Sequence, residues 1–416
     1  MRVAFVHPAY PESEGTGAVH TATLLVRGLV DRDHDVTVLC RRGPDPDDST
    51  ALAARVESLD ASGFPYHTAT ATNRVLERRA REGAFDEYDV VHSYLPTTVQ
   101  GMAAVGRDGR TGTVVSLNGY DGVCPKSDLR YMDDEQCRDR GPLRCVGCSL
   151  ATSPGHETRG AAYRSASRLG RLRVIGAGLD RLDGIDAFLP VSDHVGAIYA
   201  DFGFPEPRLS TVPTPVDERF LIEHRSGFDS PFRLLYVGYL ERHKGVDRLL
   251  PVLERVRDAG VDARLTVVGR GGARGELERQ AREAGLEAVT RFTGYVPNAE
   301  LPPLYADHDL FLYPGRWEEP RARVFLEALA TGTPVVGTDV GAADRLVGDA
   351  GTVTPQSVDA LADAVVDLLE DGPLDRMSAA GHERVRRYRL PTVIRRLEQV
   401  YKRVAEPPVD GSGRGR

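Results

Sequence analysis

The sequence predicts an α/β fold made of two doubly wound domains, each a parallel sheet between layers of helices. Short apolar runs of four or five residues alternate with amphipathic segments of helical period along the chain, which is the pattern of repeated βαβ units. A Pro-rich segment, FPEPRLSTVPTPVDERF at 204–220, separates this alternation into two halves. Each half therefore has the pattern of one Rossmann-like domain.

The two halves show the same order of elements. In the first half the predicted strands lie at 3–6, 36–39, 89–93, 113–117 and 187–191, and the first predicted helix lies at 18–32. In the second half the predicted strands lie at 233–237, 264–268, 290–294, 309–313 and 334–338, with helices at 246–259, 275–284 and 324–331. Strands that alternate with helices in this way favour a parallel sheet in each half.

These patterns divide the chain into five segments. They are an N-terminal domain over 1–205 with a Cys-rich insert at 124–148, a linker over 206–230, a C-terminal domain over 231–388, a helix over 389–405 that packs back on the first domain, and a disordered tail over 406–416. Folds of this kind bind ligands beyond the carboxyl ends of their strands. We therefore expect a ligand site in a cleft between the two domains.

The composition is that of a globular protein, with 41% hydrophobic and 27% charged residues. A net charge of -8 argues against a general nucleic-acid-coating role. No apolar run approaches the roughly 18 residues that cross a bilayer, and MRVAFVHPAY at the start has the pattern of a strand, so we expect a cytoplasmic protein. Lysine occurs only as Lys126, Lys244 and Lys402, which suggests sites that need a compact ammonium group.

The strongest functional signal is the segment DLFLYPGRWEEPRARVFLEALATGTPVVGTDVG at 309–341. Glu319 stands in the loop after a predicted strand, and Glu327 stands eight residues later inside the apolar helical run VFLEALA, where a carboxylate needs a partner. Two carboxylates at this spacing can face one cleft and accept hydrogen bonds from sugar hydroxyls. Either residue alone would be an ordinary surface or ion-paired glutamate.

This segment resembles the donor-binding signature of glycosyltransferase family 4, in which two Glu separated by seven residues precede an Ala-Gly-Thr-Pro-Val type of strand. The resemblance extends through TGAVHTATLLVRGLVDRDHDVTVL, PVSDHV, VPTPVDERF, LLYVGYLERHKGVDRLL and FTGYVPNAELPPLYADHDLFLYP. It implies a GT-B fold, with two Rossmann-like domains that face across a cleft, and a retaining transfer from a nucleoside-diphosphate sugar. By matched position, it implies that Glu319 holds donor-sugar hydroxyls and that Glu327 holds the nucleotide ribose.

The motif YVGYLERHKG follows a predicted strand and opens a helix, so Lys244 stands near free backbone N–H groups at the positive end of that helix. The resemblance implies that Lys244 neutralises the donor diphosphate, with Gly238 and Arg242 as further donor contacts. Lys244 and Glu319 are then the expected catalytic residues. The alternative is that Lys244 is an ordinary solvated residue at a helix start.

One position of this motif departs from the family pattern. The family usually has Arg directly after the first Gly, whereas this chain has Tyr239. Arg242, Arg321 or Arg323 are the expected substitutes for that cation, and the latter two lie where the family typically has Phe-Gly.

Further donor contacts are expected in two other loops. Gly17 opens the first helix, where a small residue lets a phosphate approach the backbone, and the resemblance implies nucleobase contacts near Gly294, Tyr295 and Val296. GRGGARG at 269–275 also follows a strand and opens a helix, but the next strand lacks the acid that a dinucleotide site needs for the ribose. A nicotinamide enzyme is therefore disfavoured.

Acceptor-side groups are expected from the first domain, at the ends of its strands. The candidates are His92 in the run VVHSY, and Asn118 and Asp121 in the run SLNGYD. Many relatives have His where this chain has Asn118, and Asn cannot act as a base near neutral pH. The resemblance implies front-face displacement, in which the departing phosphate takes the acceptor proton, so no catalytic cofactor is expected.

Four of the five cysteines, Cys124, Cys137, Cys145 and Cys148, lie in one insert. The spacing of the last two suits a chelate, and four clustered thiolates in an intracellular chain favour structural zinc. An iron–sulfur cluster, a regulated disulfide and free thiols remain alternatives. Beyond the insert, Arg164, Arg168 and Arg171 recur at helical spacing, which suggests either peripheral contact with an anionic membrane or a solvated basic face.

The sequence therefore predicts a retaining glycosyltransferase that uses a UDP- or GDP-sugar and an acceptor hydroxyl on a glycan, a lipid-linked acceptor or a small molecule. Two alternatives remain. The first is another GT-B enzyme, such as a sugar-nucleotide epimerase. The second is a non-catalytic sugar-nucleotide-binding protein of the same ancestry, which Tyr239, Asn118 and the Arg321 replacement favour.

Overall fold

The computed structural model describes residues 1–7, 17–40, 54–59, 68–133, 135–152, 161–222, 228–320 and 323–406. The chain forms two compact units, Met1–Pro215 with Val393–Arg416, and Val216–Thr392. Each unit is built around its own six-stranded sheet.

The first unit is a parallel sheet with helices between its strands. Its strands are β1 Arg2–Val6, β2 Asp35–Cys40, β3 Arg55–Ser58, β4 Val90–Ser93, β5 Gly112–Leu117, β6 Arg130–Tyr131, β7 Glu135–Gln136 and β8 Ala187–Pro190. Its helices are α1 Gly17–Val30, α2 Thr68–Arg81, α3 Val99–Val105, α4 Pro142–Ala151, α5 Ala161–Leu179 and α6 Asp193–Asp201. The sheet order is β3-β2-β1-β4-β5-β8, and β6 and β7 form a separate antiparallel pair. Every residue of β4 and β5 is buried, as in sheets covered on both faces.

The second unit repeats this arrangement. Its strands are β9 Phe232–Val237, β10 Ala263–Val268, β11 Thr290–Gly294, β12 Leu310–Tyr313, β13 Val335–Thr338 and β14 Gly351–Thr354. Its helices are α7 Leu249–Asp258, α8 Arg274–Glu283, α9 Leu301–Ala306, α10 Arg323–Ala330, α11 Ala343–Val347, α12 Val358–Asp371 and α13 Leu374–Val385. All six strands are parallel, in the order β11-β10-β9-β12-β13-β14. The chain adds strands on one side of β9 up to β11 and then returns to the other side of β9 with β12. Parallel sheets bind ligands at the carboxyl ends of strands beside such a reversal.

The predicted strands are confirmed to within one residue at either end. Sequence reasoning missed β3 and β14, which lie at sheet edges. Their sequences, RVES and GTVT, each contain a single Val as their branched apolar residue, because an edge strand buries less surface than a central one. The amphipathic helices α12 and α13 were also missed.

The last helix, α14 Leu390–Ala405, packs on the first unit, which confirms its predicted return. The Tyr401 hydroxyl forms a 2.7 Å hydrogen bond with Nδ1 of His92, whose Nε2 lies 2.8 Å from the Ser116 hydroxyl. Glu398 of the same helix accepts hydrogen bonds from the Arg32 guanidinium, at 2.7 and 2.9 Å. The helix is thus held by buried polar contacts as well as by its apolar face.

Within the described residues, no helix combines the length and the apolar content needed to span a bilayer. The tail predicted over 406–416 lies outside the described residues from 407 onwards.

Burial lowers the pKa of His92 to about 3. Between about pH 6.5 and pH 3 the unfolded chain therefore binds a proton at this residue that the folded chain does not. The unfolding free energy of wild type should fall by about 1.4 kcal/mol per pH unit more steeply than that of His92→Gln as the pH decreases in this range. Chemical denaturation followed by circular dichroism at pH 7 and pH 5 measures the difference. Parallel pH profiles of the two proteins would contradict the prediction.

Candidate active site

The carboxyl ends of β9, β10 and β11 are joined backbone to backbone through glycines. The amide of Gly238 donates to the Val268 carbonyl at 3.0 Å, and the amide of Gly269 donates to the Gly294 carbonyl at 2.9 Å. Gly269 has φ +139°, and a β-carbon there would lie 1.8 Å from the Gly238 carbonyl oxygen. Only glycine permits this approach, so the loops after the three strands form one layer at this edge of the sheet.

Lys244 ends a short 3-10 turn, Arg242–Lys244, in the loop after β9. Gly245 follows with φ +71°, and a β-carbon on it would lie 1.8 Å from the carbonyl oxygen of Pro314. The Arg248 guanidinium donates to the same oxygen at 3.1 Å. The loop after β9 therefore lies directly against the loop after β12.

This contact brings the two predicted catalytic residues together. Lys244 and Glu319 form an ion pair, and their side chains are 14% and 18% exposed. The Lys244 ammonium also lies 4.5 Å from the centre of the Trp317 ring. Arg316 beside it binds the Asp247 carboxylate through both terminal nitrogens.

Two tyrosines at the ends of the central strands lie close to Glu319. Burial, and after it the negative charge of Glu319, raise the pKa of Tyr236 and of Tyr313. Both phenols therefore stay neutral near physiological pH, and the carboxylate lies next to buried, uncharged groups.

Glu327 lies on α10 and is 5% exposed. The Tyr305 hydroxyl donates to its Oε2 at 3.1 Å, and the Arg323 guanidinium donates to its Oε1 at 3.0 Å. The Asn298 amide donates to Oε1 at 3.4 Å. The buried carboxylate thus has the partners that its apolar surroundings require. Arg323, which the sequence suggested as a diphosphate contact, binds Glu327 in this structure. Sequence reasoning missed Asn298 and Tyr305, although both lie in the quoted motif FTGYVPNAELPPLYA.

Exposed aromatic rings follow two strands, β9 and β11, at the same edge of the sheet. Tyr239 after β9 and Tyr295 after β11 are 51% and 63% exposed. The guanidinium of Arg270, after the intervening strand β10, lies 5.1 Å from the centre of the Tyr295 ring. Gly294 precedes that ring with φ +77°, and Val296 after it is half-buried. Arg242 is exposed, whereas Arg321 lies outside the described residues.

In the first unit, the expectation that His92 faces an acceptor is wrong. His92 is fully buried, and both of its ring nitrogens are used by Tyr401 and Ser116. Asn118 is buried at the end of β5 and donates its side-chain amide to the Tyr94 carbonyl at 2.8 Å. Asp121 is half-buried in the following turn, and Gly17 is exposed at the start of α1.

Two family models match consecutive parts of the chain. The model described as Glycosyltransferase Family 4 matches residues 15–220, and the model described as Glycosyl transferases group 1 matches residues 219–384. The chain belongs to glycosyltransferase family 4.

Curated proteins similar to this family 4 chain include several glycosyltransferases. The chain is 37% identical over 177 residues to a phosphatidyl-myo-inositol mannosyltransferase of Mycobacterium leprae, an alignment that covers 41% of this chain and 46% of that protein. It is 34% identical over 263 residues to a GDP-mannose-dependent alpha-(1-6)-phosphatidylinositol monomannoside mannosyltransferase of Mycobacterium tuberculosis, with 58% and 66% covered. The chain thus spans less than two thirds of the length of these relatives.

Solved structures share the fold over almost the whole chain. Sucrose-phosphate synthase from Thermosynechococcus elongatus has a TM-score of 0.69 at 18% identity, covering 97% of this chain and 98% of that one. The Anabaena protein HepE in complex with UDP and glucose has a TM-score of 0.66 at 17% identity, covering 96% and 99%. These similarities confirm the predicted GT-B fold.

The Cys-rich insert of this family 4 chain does not have the geometry of the expected metal site. Within the described residues, no three or more His, Cys, Asp or Glu side chains are placed to hold a metal ion. The Cys148 thiol instead accepts a hydrogen bond from the Met132 amide at 3.3 Å and lies 4.0 Å from Nζ of Lys126. Burial raises the pKa of Cys124 to about 11, which disfavours a thiolate there. The structure therefore does not support zinc at the four predicted ligands, Cys124, Cys137, Cys145 and Cys148.

Two of the three arginines of the predicted basic face beyond the insert form hydrogen bonds within the protein. Arg168 donates to the carbonyls of Ser149 and Thr152, at 3.2 and 3.1 Å, where α4 ends. Arg171 donates to the Ser127 hydroxyl, and Arg164 is half-buried. Arg168 and Arg171 therefore hold the insert in place, which does not support their predicted contact with a membrane.

The close contact between Gly245 and the Pro314 carbonyl predicts that a side chain at position 245 lowers the stability of the protein. Gly245→Ala should destabilise the second unit well beyond Gly260→Ala, since both glycines have positive φ but only Gly245 has an atom within 4 Å of the new methyl group. Strain alone predicts a loss of about 1 kcal/mol for Gly260→Ala, and the displaced Pro314 carbonyl should at least double it for Gly245→Ala. Denaturation followed by the fluorescence of Trp317, the single tryptophan, measures both. Equal losses would mean that the two loops are not in contact.

Proposed function

We propose that the protein is a retaining glycosyltransferase that transfers a hexosyl unit from a nucleoside-diphosphate sugar to an acceptor hydroxyl. The observation that carries this proposal is the Lys244–Glu319 pair at the carboxyl end of the second sheet, with the buried carboxylate of Glu327 on the following helix. A mobile cation and two carboxylates are the groups that a diphosphate and a polyhydroxylated sugar require.

The donor diphosphate is proposed to bind at Lys244. Its ammonium exchanges Glu319 for phosphate oxygens, and Gly238 at the strand end stays a proposed donor contact. Arg242, whose side chain is exposed in the same turn, is the proposed second cation. Arg321 and Arg323 stay weaker proposals for that role, the latter because it binds Glu327.

The proposed contacts of the sugar, the ribose and the nucleobase follow from the position of the diphosphate at Lys244. Glu319, released from Lys244, accepts hydrogen bonds from sugar hydroxyls, and Glu327 accepts them from the ribose. The nucleobase is proposed to lie at Gly294, Tyr295 and Val296, where an exposed ring is available for stacking and Arg270 already contacts its face. Gly17, Asn118 and Asp121 stay proposed contacts of the first unit with phosphate and acceptor.

The proposed reaction requires no general base from the protein. The departing phosphate accepts the proton of the acceptor hydroxyl while the new glycosidic bond forms on the same face, which retains the anomeric configuration. Lys244 stabilises the negative charge that develops on the leaving diphosphate, and such electrostatic stabilisation is commonly the largest contribution to catalysis. The buried Asn118 positions its loop and holds no proton to transfer.

The donor is proposed to be a UDP- or GDP-hexose with a mannosyl or glucosyl group, and the acceptor a glycolipid, a lipid-linked glycan or a polysaccharide precursor. The names of the relatives support the proposed donor and acceptor classes, since one is a GDP-mannose-dependent phosphatidylinositol monomannoside mannosyltransferase. A structural neighbour was solved with UDP-glucose.

A second candidate is a non-catalytic sugar-nucleotide-binding protein, which Tyr239 favours because an exposed phenol stands where the family usually has a cation. Calorimetry with UDP and GDP, followed by turnover of UDP-glucose and GDP-mannose with phosphatidylinositol and glycan acceptors, separates the two. We expect nucleotide binding and a product whose anomeric configuration, measured by NMR, matches that of the donor. Binding without transfer to any acceptor would favour the second candidate, and an inverted product would contradict retention.

Glu327→Ala should weaken binding of the preferred nucleotide by about 1 to 3 kcal/mol, because ribose hydroxyls lose their acceptor. Glu283→Ala is the matched control, since Glu283 also pairs with an Arg four residues away in the same unit but lies at the C-terminal end of α8. Calorimetry on both variants, with circular dichroism as the check of folding, measures the effect. Unchanged affinity in folded Glu327→Ala would exclude the ribose assignment.

A further inference from the structure

The environment of Lys244 contains an aromatic ring to which the donor-binding signature assigns no role. The Lys244 ammonium lies 4.5 Å from the centre of the Trp317 ring, within the range of a cation–π contact. The edge of the His243 ring meets the same indole, with ring centres 5.7 Å apart and planes at 85°. Trp317 thus contacts the side chains of two consecutive residues of one turn.

The backbone that carries Trp317 is fixed more firmly than the Lys244 side chain. The Arg316 amide donates to the His243 carbonyl at 3.2 Å, and the Arg316 guanidinium donates to the Arg242 carbonyl at 3.0 Å. The same guanidinium binds Asp247. Burial by itself would raise the pKa of Asp247, but the hydrogen bond and the charge of Arg316 lower it, so the pair stays ionised near neutral pH. The loop that carries the indole is therefore held against the turn of Lys244, and the four-carbon side chain of Lys244 has the rotatable bonds through which its ammonium can change partners.

A flexible ammonium loses rotational freedom when it binds a phosphate, and this loss reduces affinity. The indole face restricts Lys244 before any ligand arrives, and it does so without using the N–H donors of the ammonium. The cation can then exchange the Glu319 carboxylate for phosphate oxygens while it stays over the ring.

We infer that Trp317 is a positioning residue, which holds the Lys244 ammonium over its indole face so that the ammonium meets the diphosphate of a nucleotide donor. The inference rests on the proposed function, because it requires that a nucleoside diphosphate binds at Lys244. It assigns to Trp317 an effect that acts through Lys244 and needs no direct contact between the indole and the ligand.

The test compares Trp317→Leu and Trp317→Phe, with UDP and GDP as the probes in calorimetry on the full chain. Trp317→Leu should weaken binding of the preferred diphosphate about 3- to 30-fold, since a cation–π contact is lost. Trp317→Phe retains a π face and should recover most of the affinity. Tyr131→Leu is the matched control, because Tyr131 has the Arg144 guanidinium 3.9 Å from its ring centre in the first unit; its affinity should equal that of wild type.

A double-mutant cycle with Lys244→Met separates a positioning role from a structural or direct one. If Trp317 acts through Lys244, Trp317→Leu should have no further effect on affinity in the Lys244→Met background. A loss of the same size in that background would overturn the inference, because the indole would then contact the ligand or support the fold. So would an unchanged affinity of Trp317→Leu in the wild-type background.

The fluorescence of Trp317 gives an independent signature, since the chain has one tryptophan. Saturating nucleotide should change the emission of wild type and not that of Lys244→Met at equal occupancy. An equal change in both proteins would contradict the inference. If wild type binds neither UDP nor GDP, the proposed function fails as well, whereas normal nucleotide binding with no coupling between Trp317 and Lys244 removes the inference alone.

Discussion

The geometry of the donor side depends on one backbone contact, the approach of Gly245 to the Pro314 carbonyl. The contact places the turn after β9 against the loop after β12, which are neighbouring strands where the sheet order reverses. Lys244 on one loop and Glu319 on the other are 75 residues apart in the sequence, yet they pair because of it. A side chain at 245 would separate the cation from the carboxylate, so the chemistry of the site depends on the absence of a single methyl group.

Three ion pairs lie at the proposed site. Lys244 pairs with Glu319, Arg323 pairs with Glu327, and Arg316 pairs with Asp247. Each charge is therefore compensated before a ligand binds, and a ligand has to exchange partners at the first two pairs. Such exchange is favourable only if the ligand offers both an anion for the cation and hydroxyl donors for the carboxylates. The proposed ligand, a nucleoside-diphosphate sugar, offers both, whereas free phosphate offers only the first.

The sequence predicts those parts of the fold and site that depend on local pattern. Central strands are specified by apolar runs, and the glycines and charged residues at strand ends locate the donor motif. What depends on distant partners is not visible in the pattern. His92 at a strand end looks like an acceptor contact, but its partner Tyr401 lies 309 residues away and turns it into a buried structural group. The insert cysteines have chelate spacing, yet backbone and Lys126 contacts direct the Cys148 thiol elsewhere. Trp317 lies inside the segment 309–341, but the pattern gives it no role, because its contact with Lys244 comes from a turn that follows another strand.

The first unit is discontinuous in sequence, since it is completed by residues from Val393 onwards. During synthesis the ribosome releases the whole second unit before the chain that carries Glu398 and Tyr401 emerges. Until then His92 and Ser116 lack the hydroxyl that completes their buried hydrogen-bond chain, and Arg32 lacks its carboxylate. A nascent chain that stops before this sixteen-residue helix would therefore expose an incomplete apolar surface on its amino-terminal half, which chaperones and proteases recognise.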